Sequence, residues 1–220
     1  MSVTESYQDQ VFVNCPFDDE YKPLFDATVF CIHDAGFIAH CALEISDSSQ
    51  NRLSKILSLI GTCKYGLHDI SRVGLDVDTS LPRFNMPLEF GIFLGCKAFG
   101  NRTHQAKSCL VLDSEPYRYR SSMSDVAGQD IAAHHNDVRK LIQQVRSWLT
   151  TASKRTTIPG GEAIANRFAQ FQQELPAICQ ELHKHVKELT FIEYKDVVAA
   201  WLRQNTLRAA KPHRRGGRPK

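Results

Sequence analysis

Short apolar runs that alternate with segments of helical period constrain this chain more than any other feature. Val11-Phe12-Val13 is a buried first strand stopped by Pro16, and Phe37 to Ile45 is apolar with few breaks. Tyr65 to Ile70 and the continuous run Ser108 to Leu112 supply two more strands. Between them, Leu24, Phe25, Val29 and Ile32 repeat at helical spacing over Asp18–Ala35, closed by Gly36. Leu53, Ile56, Leu57 and Ile60 fall on one helical face of 48–62, and Pro87–Phe99 is apolar on nearly every side. Strands of this kind, separated by helices and short connections, predict a parallel sheet covered on both faces.

Beyond Asp113 the pattern continues with a candidate fifth strand at Asp130–His134 and a helix over Asn136–Thr151. Thr156–Gly161 reads as a turn, and the chain then reads helical to Asn205. Within that stretch Thr190-Phe191-Ile192-Glu193 has the form of a capping box. The expected organisation is an α/β domain over 1–155, a helical segment over 156–205 and a disordered basic tail over 206–220.

Charge separates the tail from the body. Of 27 Lys and Arg, seven lie between Arg203 and Lys220 with no acid among them, leaving 20 against 24 acidic residues in 1–202. The overall charge of +3 is therefore a property of the tail. The run Arg214-Arg215-Gly216-Gly217-Arg218-Pro219 is similar to the core of an AT-hook interrupted by one extra glycine, a weak indication of nucleic-acid binding beside the plainer reading of a solvated terminus.

Several classes are disfavoured. No apolar run approaches the roughly 18–20 residues of a membrane span, and Met1–Gln10 is too polar for a signal peptide, so a cytoplasmic protein with no membrane partner is expected. The seven cysteines form no CxxC pair and read as buried free thiols. Phosphate-binding glycine motifs are absent, which argues against a Rossmann dehydrogenase or a P-loop NTPase. His134 and His135 would point to opposite faces of a strand, so no metal site is expected.

The residue that stands out chemically is Glu89, in Asn85-Met86-Pro87-Leu88-Glu89-Phe90-Gly91. Proline favours the first position of a helix, which places Glu89 in the first turn, where free N–H groups and the helix dipole would keep it ionised. As a capping-box glutamate it would need Ser or Thr at the cap, and Asn85 or Met86 stands there instead. Ligands of open parallel sheets bind beyond the carboxyl ends of the strands. That edge is expected to carry Asn14, Pro16, Phe17 and Asp18 after the first strand, Asp69 and Ser71 after the third, and Asp113 after the fourth. Arg83, Tyr117 and His134 are candidates for its rim, and Asn85 for a substrate contact.

Taken in order, Asn14-Cys15-Pro16-Phe17, Asp69-Ile70-Ser71 and Glu89-Phe90-Gly91 resemble the superfamily that joins nucleoside 2-deoxyribosyltransferases and TIR domains, over about residues 10–150. Asn14-Cys15 stands where that family carries a small glycine-containing turn, and Asn-Met-Pro-Leu precedes the glutamate where TIR domains carry a Trp-Cys-like pair. The resemblance implies a flavodoxin-like sheet flanked by helices, with a C-terminal helical extension. It implies Glu89 as the catalytic residue in cleavage of an N-glycosidic bond, with NAD+ or a related nucleotide or nucleoside as substrate and no separate cofactor. It further implies a regulated effector of bacterial antiphage defence, active as a homo-oligomer or with a regulatory protein. Two rivals remain: a module that senses a nucleotide without cutting it, and an interaction protein in which Glu89 is only structural.

Overall fold

The computed structural model describes residues 6–44, 49, 51–73, 83–121, 123–126 and 128–210. Among them lie five strands: β1 (Gln10–Asn14), β2 (Ile38–His40), β3 (Tyr65–Asp69), β4 (Ser108–Asp113) and β5 (Ile131–Ala133). The helices are α1 (Lys22–Asp34), α2 (Arg52–Thr62), α3 (Asn85–Phe99), α4 (Arg102–Gln105), α5 (Val138–Ser153), α6 (Gly161–Glu181) and α7 (Phe191–Ala210). Every strand pairing is parallel, in the order β2-β1-β3-β4-β5. This is the flavodoxin-like arrangement, whose order reverses between β1 and β3.

Strand alternation sorts the core into two faces. Val11, Val13, Tyr65, Leu67 and Leu112 join α1, α5, α6 and α7 in one buried cluster. Phe12 points the other way, onto Ile56, Leu59 and Ile60 of α2 and Phe93 of α3. Val111 and Ile70 pack with Met86 and Phe90 of α3 and with Tyr119.

Several boundaries differ from expectation. α1 begins at Lys22 rather than Asp18, because Asp18 Oδ1 accepts the Tyr21 N–H at 2.9 Å and holds a turn ahead of the helix. β2 ends at His40, an edge strand paired only with β1; a 3-10 turn over Ala42–Glu44 follows, and Ile45 lies outside the described residues. There the chain is drawn off the sheet by Glu44, which binds His40 Nδ1 at 2.8 Å and pairs with Lys195 of α7. α2 is capped by Asn51, which accepts the Leu53 N–H; Ser48, its expected start, lies outside the description. Its buried face is Ile56, Leu59 and Ile60, while Leu53 and Leu57 are exposed. α3 starts at Asn85, two residues before the Pro87 start expected for it, and 74–82 lies outside the described residues. α3, apolar on nearly every side, is not buried all round: only Met86, Glu89, Phe90 and Phe93 are buried, and Leu88 and Phe99 are exposed. All seven cysteines are free thiols. No helix among the described residues is long and apolar enough to cross a membrane.

The C-terminal helices cover the α1–α5 layer rather than standing apart from it. Phe30 of α1 meets Phe168 and Phe171 of α6, each at 5.4 Å between ring centroids, and Trp201 of α7 at 5.8 Å. Trp201 Nε1 donates to Glu174 at 2.7 Å, and Tyr194 Oη donates to the Asp26 carbonyl at 3.1 Å. The connection between α5 and α6 is pinned, with Ile158 buried and Arg146 donating to the Pro159 carbonyl at 2.8 Å. α7 starts with the expected capping box: Thr190 N–H donates to Glu193 at 2.8 Å, and Glu193 N–H to Thr190 Oγ1 at 3.3 Å. It runs to Ala210, past the expected end at Asn205, so 206–210 is helix rather than disordered tail. Residues 211–220, with most of the basic run, lie outside the description.

Because one cluster spans the sheet and these helices, Phe171→Ala is expected to destabilise the whole protein by about 3–5 kcal/mol. Urea unfolding followed by both fluorescence and circular dichroism should show one transition at lower urea. A separate early transition confined to the C-terminal helices would overturn the shared core.

Candidate active site

The chain leaves β1 through Asn14, Cys15, Pro16 and Phe17, and these residues line a cavity of about 320 Å3. The other walls are Asp18, Arg52 at the start of α2, Arg83, and Asn85, Met86 and Glu89 of α3. The cavity thus sits beside the carboxyl end of β1, where the strand order reverses, the place at which open parallel sheets bind ligands.

Asn14 fixes its floor. The side-chain amide donates to the Met86 carbonyl at 2.9 Å and lies 3.1 Å from His68 Nδ1. Burial drives the His68 imidazole down to about 3, so the ring is neutral, accepts at Nδ1 and carries its proton on Nε2. That ring packs edge-on and tilted against Phe12, Phe90 and Phe93. Gly66, next but one on β3, completes the seat: a Cβ there would come within 2.6 Å of the Phe93 ring and 2.7 Å of His68 Nε2. α3 is therefore clamped to the sheet at its first turn by a hydrogen bond and in its middle by close ring packing.

Glu89 is buried on the inner side of this helix and lines the cavity. α3 begins at Asn85 with no side-chain cap, which places Glu89 one full turn in, deeper than the first turn expected from Pro87. Expectation also had the dipole holding the carboxylate ionised. Burial prevails instead and pushes Glu89 up from 4.5 to about 7, with Arg52 only partly opposing the rise. No hydrogen bond or ion pair from a described residue reaches the carboxylate. Asp18, by contrast, is flanked by Arg72 at 3.7 Å and Arg83 at 3.6 Å, so the mouth of the cavity carries guanidinium groups.

Seven of the expected residues meet here: Asn14, Pro16, Phe17, Asp18, Arg83, Asn85 and Glu89. Four do not. Asp69 follows the parity of Leu67 and faces α1, whereas His68 faces α3, so Asp69 lies through the sheet edge from Glu89. It accepts Tyr21 Oη at 2.6 Å and the Ser71 N–H at 2.8 Å. His134 Nε2 lies 3.1 Å from the same carboxylate, near enough for an ion pair though not aligned as a hydrogen bond. Ser71 stays in that turn, so neither it nor His134 is a rim residue of this cavity. Asp113 is held by Arg118 Nε at 2.9 Å and by the Ser114 N–H at 2.7 Å. Tyr117, exposed beyond β4, stacks under Arg120 at 4.5 Å. Arg52 was not expected. The clue to it is a cation in the first turn of a helix, where the dipole disfavours positive charge.

Glu89→Gln should leave the fold intact and make it more stable. The folded protein holds the Glu89 proton up to about pH 7, the unfolded chain only to about 4.5. Wild type therefore loses stability as pH rises through that window. Near pH 8 the variant is expected to gain on the order of 1–3 kcal/mol in urea unfolding, a gain that vanishes toward about pH 4.5. A gain independent of pH would mean that the carboxylate is not strained by burial.

Compared with known proteins, the chain matches no family model, no curated protein and no solved structure, so the chemistry of the cavity must be read from its own residues.

Proposed function

We propose that this cavity cleaves the N-glycosidic bond of NAD+ or a related nucleotide, with Glu89 as the catalytic group. The observation that carries the reading is a buried carboxyl with no described partner, raised to about 7, at the strand-order reversal of a parallel sheet. Such a group is costly to fold around and useful in acid–base or nucleophilic chemistry at neutral pH. The ordered likeness of Pro16-Phe17 and Glu89-Phe90-Gly91 to nucleoside deoxyribosyltransferases and TIR domains supports the same bond type.

In this mechanism the substrate ribose lies against Glu89, with Asn85 and Asp18 within the same walls for its hydroxyls and Arg52 and Arg83 toward its phosphates. As the bond from C1′ to the pyridinium nitrogen breaks, its electron pair neutralises nicotinamide. The ionised Glu89 stabilises the cationic sugar or bonds to C1′, and water then takes its place, losing one proton to solvent. A neutral leaving base such as adenine instead needs a proton, which a carboxyl of pKa about 7 can donate. A regulated role in antiphage defence belongs to the same proposal and rests on the resemblance alone.

Purified protein mixed with NAD+ and a panel of nucleosides, with products separated by chromatography, tests the proposal. Glu89→Gln is expected to lower turnover by at least about a thousandfold with the fold retained. For NAD+, kcat/KM should climb about tenfold per pH unit below about 7 and level above it; for a neutral leaving base the limb reverses and falls above about 7. Turnover unchanged in the variant would sink the assignment. A nucleotide that raises the melting temperature and is never consumed would leave the cavity a sensor.

A further inference from the structure

The two faces of the sheet are finished differently. α1 is apolar nearly all round, and the chain itself encloses it: every residue from Leu24 to Ile32 is buried, between the sheet on one side and α5, α6 and α7 on the other. α3 is also apolar nearly all round, and no described element covers its outer side. Phe84, at its cap, is 66% exposed, Leu88 is 57% exposed and Phe99 is 92% exposed. Gly91 and Ala98 lie exposed on the same helical stripe, with Gly95 between them, and no charged side chain interrupts it from Phe84 to Phe99. A helix apolar on all sides is ordinarily a buried one.

We propose that this stripe is the interface of a homodimer, with α3 of one copy crossing antiparallel to α3 of a second copy. The stripe is self-complementary. Large side chains occupy its two ends and glycines its middle. A Cβ built on Gly91 or on Gly95 meets nothing within 4 Å, so both leave an open groove. A two-fold axis between the two glycines sets Gly91 of each copy against Gly95 of the other and brings Leu88 alongside Ala98 and Phe99. Such a pairing is isologous and closed, the commonest form of assembly. With no charge on the stripe there is no pattern for a charged partner to match, which favours a second copy over a different protein. The area is of the right order. Phe84, Leu88 and Phe99 alone present roughly 400 Å2 of apolar surface, within the range of the largest patch that monomers leave open. The intervening glycine and alanine backbone brings this toward the ~800 Å2 per partner of a standard interface. The inference is independent of what Glu89 does.

Sedimentation equilibrium of the full chain at micromolar concentration tests it, with Gly91→Leu and Phe99→Glu beside wild type. Wild type is expected at twice the monomer mass and both variants at the monomer mass. Gly91→Leu is the sharper probe. It meets open space in the monomer and should hold or raise the melting temperature, while filling the groove that the second copy needs. A monomeric wild type would overturn the proposal, because another occupant then covers the stripe. A dimer that survives both substitutions would overturn it as well, by placing the interface elsewhere.

Discussion

The side-chain amide of Asn14 is the joint on which the site depends. It reaches from the last residue of β1 to His68 on β3 and to the Met86 carbonyl in the first turn of α3. Three elements brought together by the crossover between β1 and β3 are thereby held in one register. The neutral state of His68 is part of the same device, since a protonated ring would lose the acceptor that Asn14 uses. With the helix start fixed, the position of Glu89 a turn later follows from helix geometry alone.

The fold is a parallel sheet whose two sides meet different environments. On one side α1 and α5 are buried beneath α6 and α7, so the C-terminal third of the chain acts as a second wall of the same core. On the other, α2 and α3 form a single layer, and the cavity opens between that layer and the loop after β1. Glu89 therefore sits on the thinner side of the protein, where a helix can be both packed against the sheet and reached from outside.

Much of this was legible in the alternation of apolar runs and helical periods, because strands covered on both faces must read as continuous hydrophobic stretches. Positions within the edge were harder. Asp69 and His68 are neighbours in sequence, yet the two-residue period of a strand sends them to opposite faces, and only the packing partners decide which is which. The protonation of Glu89 escaped for a related reason. Pro87 announces a helix start, but the helix begins two residues earlier, and the burial that follows outweighs the dipole. Leu53 and Leu57 share a helical stripe with Ile60, but the sheet meets α2 along Ile56, Leu59 and Ile60, one step around the helix. Periodicity defines a stripe more loosely than packing does.

Gly66 shows how far the site is shaped from behind. The ring of Phe93 occupies the space that any side chain on that strand position would need. The depth of α3 against the sheet is thus set by a missing methyl group. A methyl at position 66 would lift the helix as a lever lifts from its fulcrum, and the carboxylate at its near end would travel with it. The reach of Glu89 into the cavity is in this sense a dimension of the sheet, and a sheet is far stiffer than the loops that make the rest of the wall.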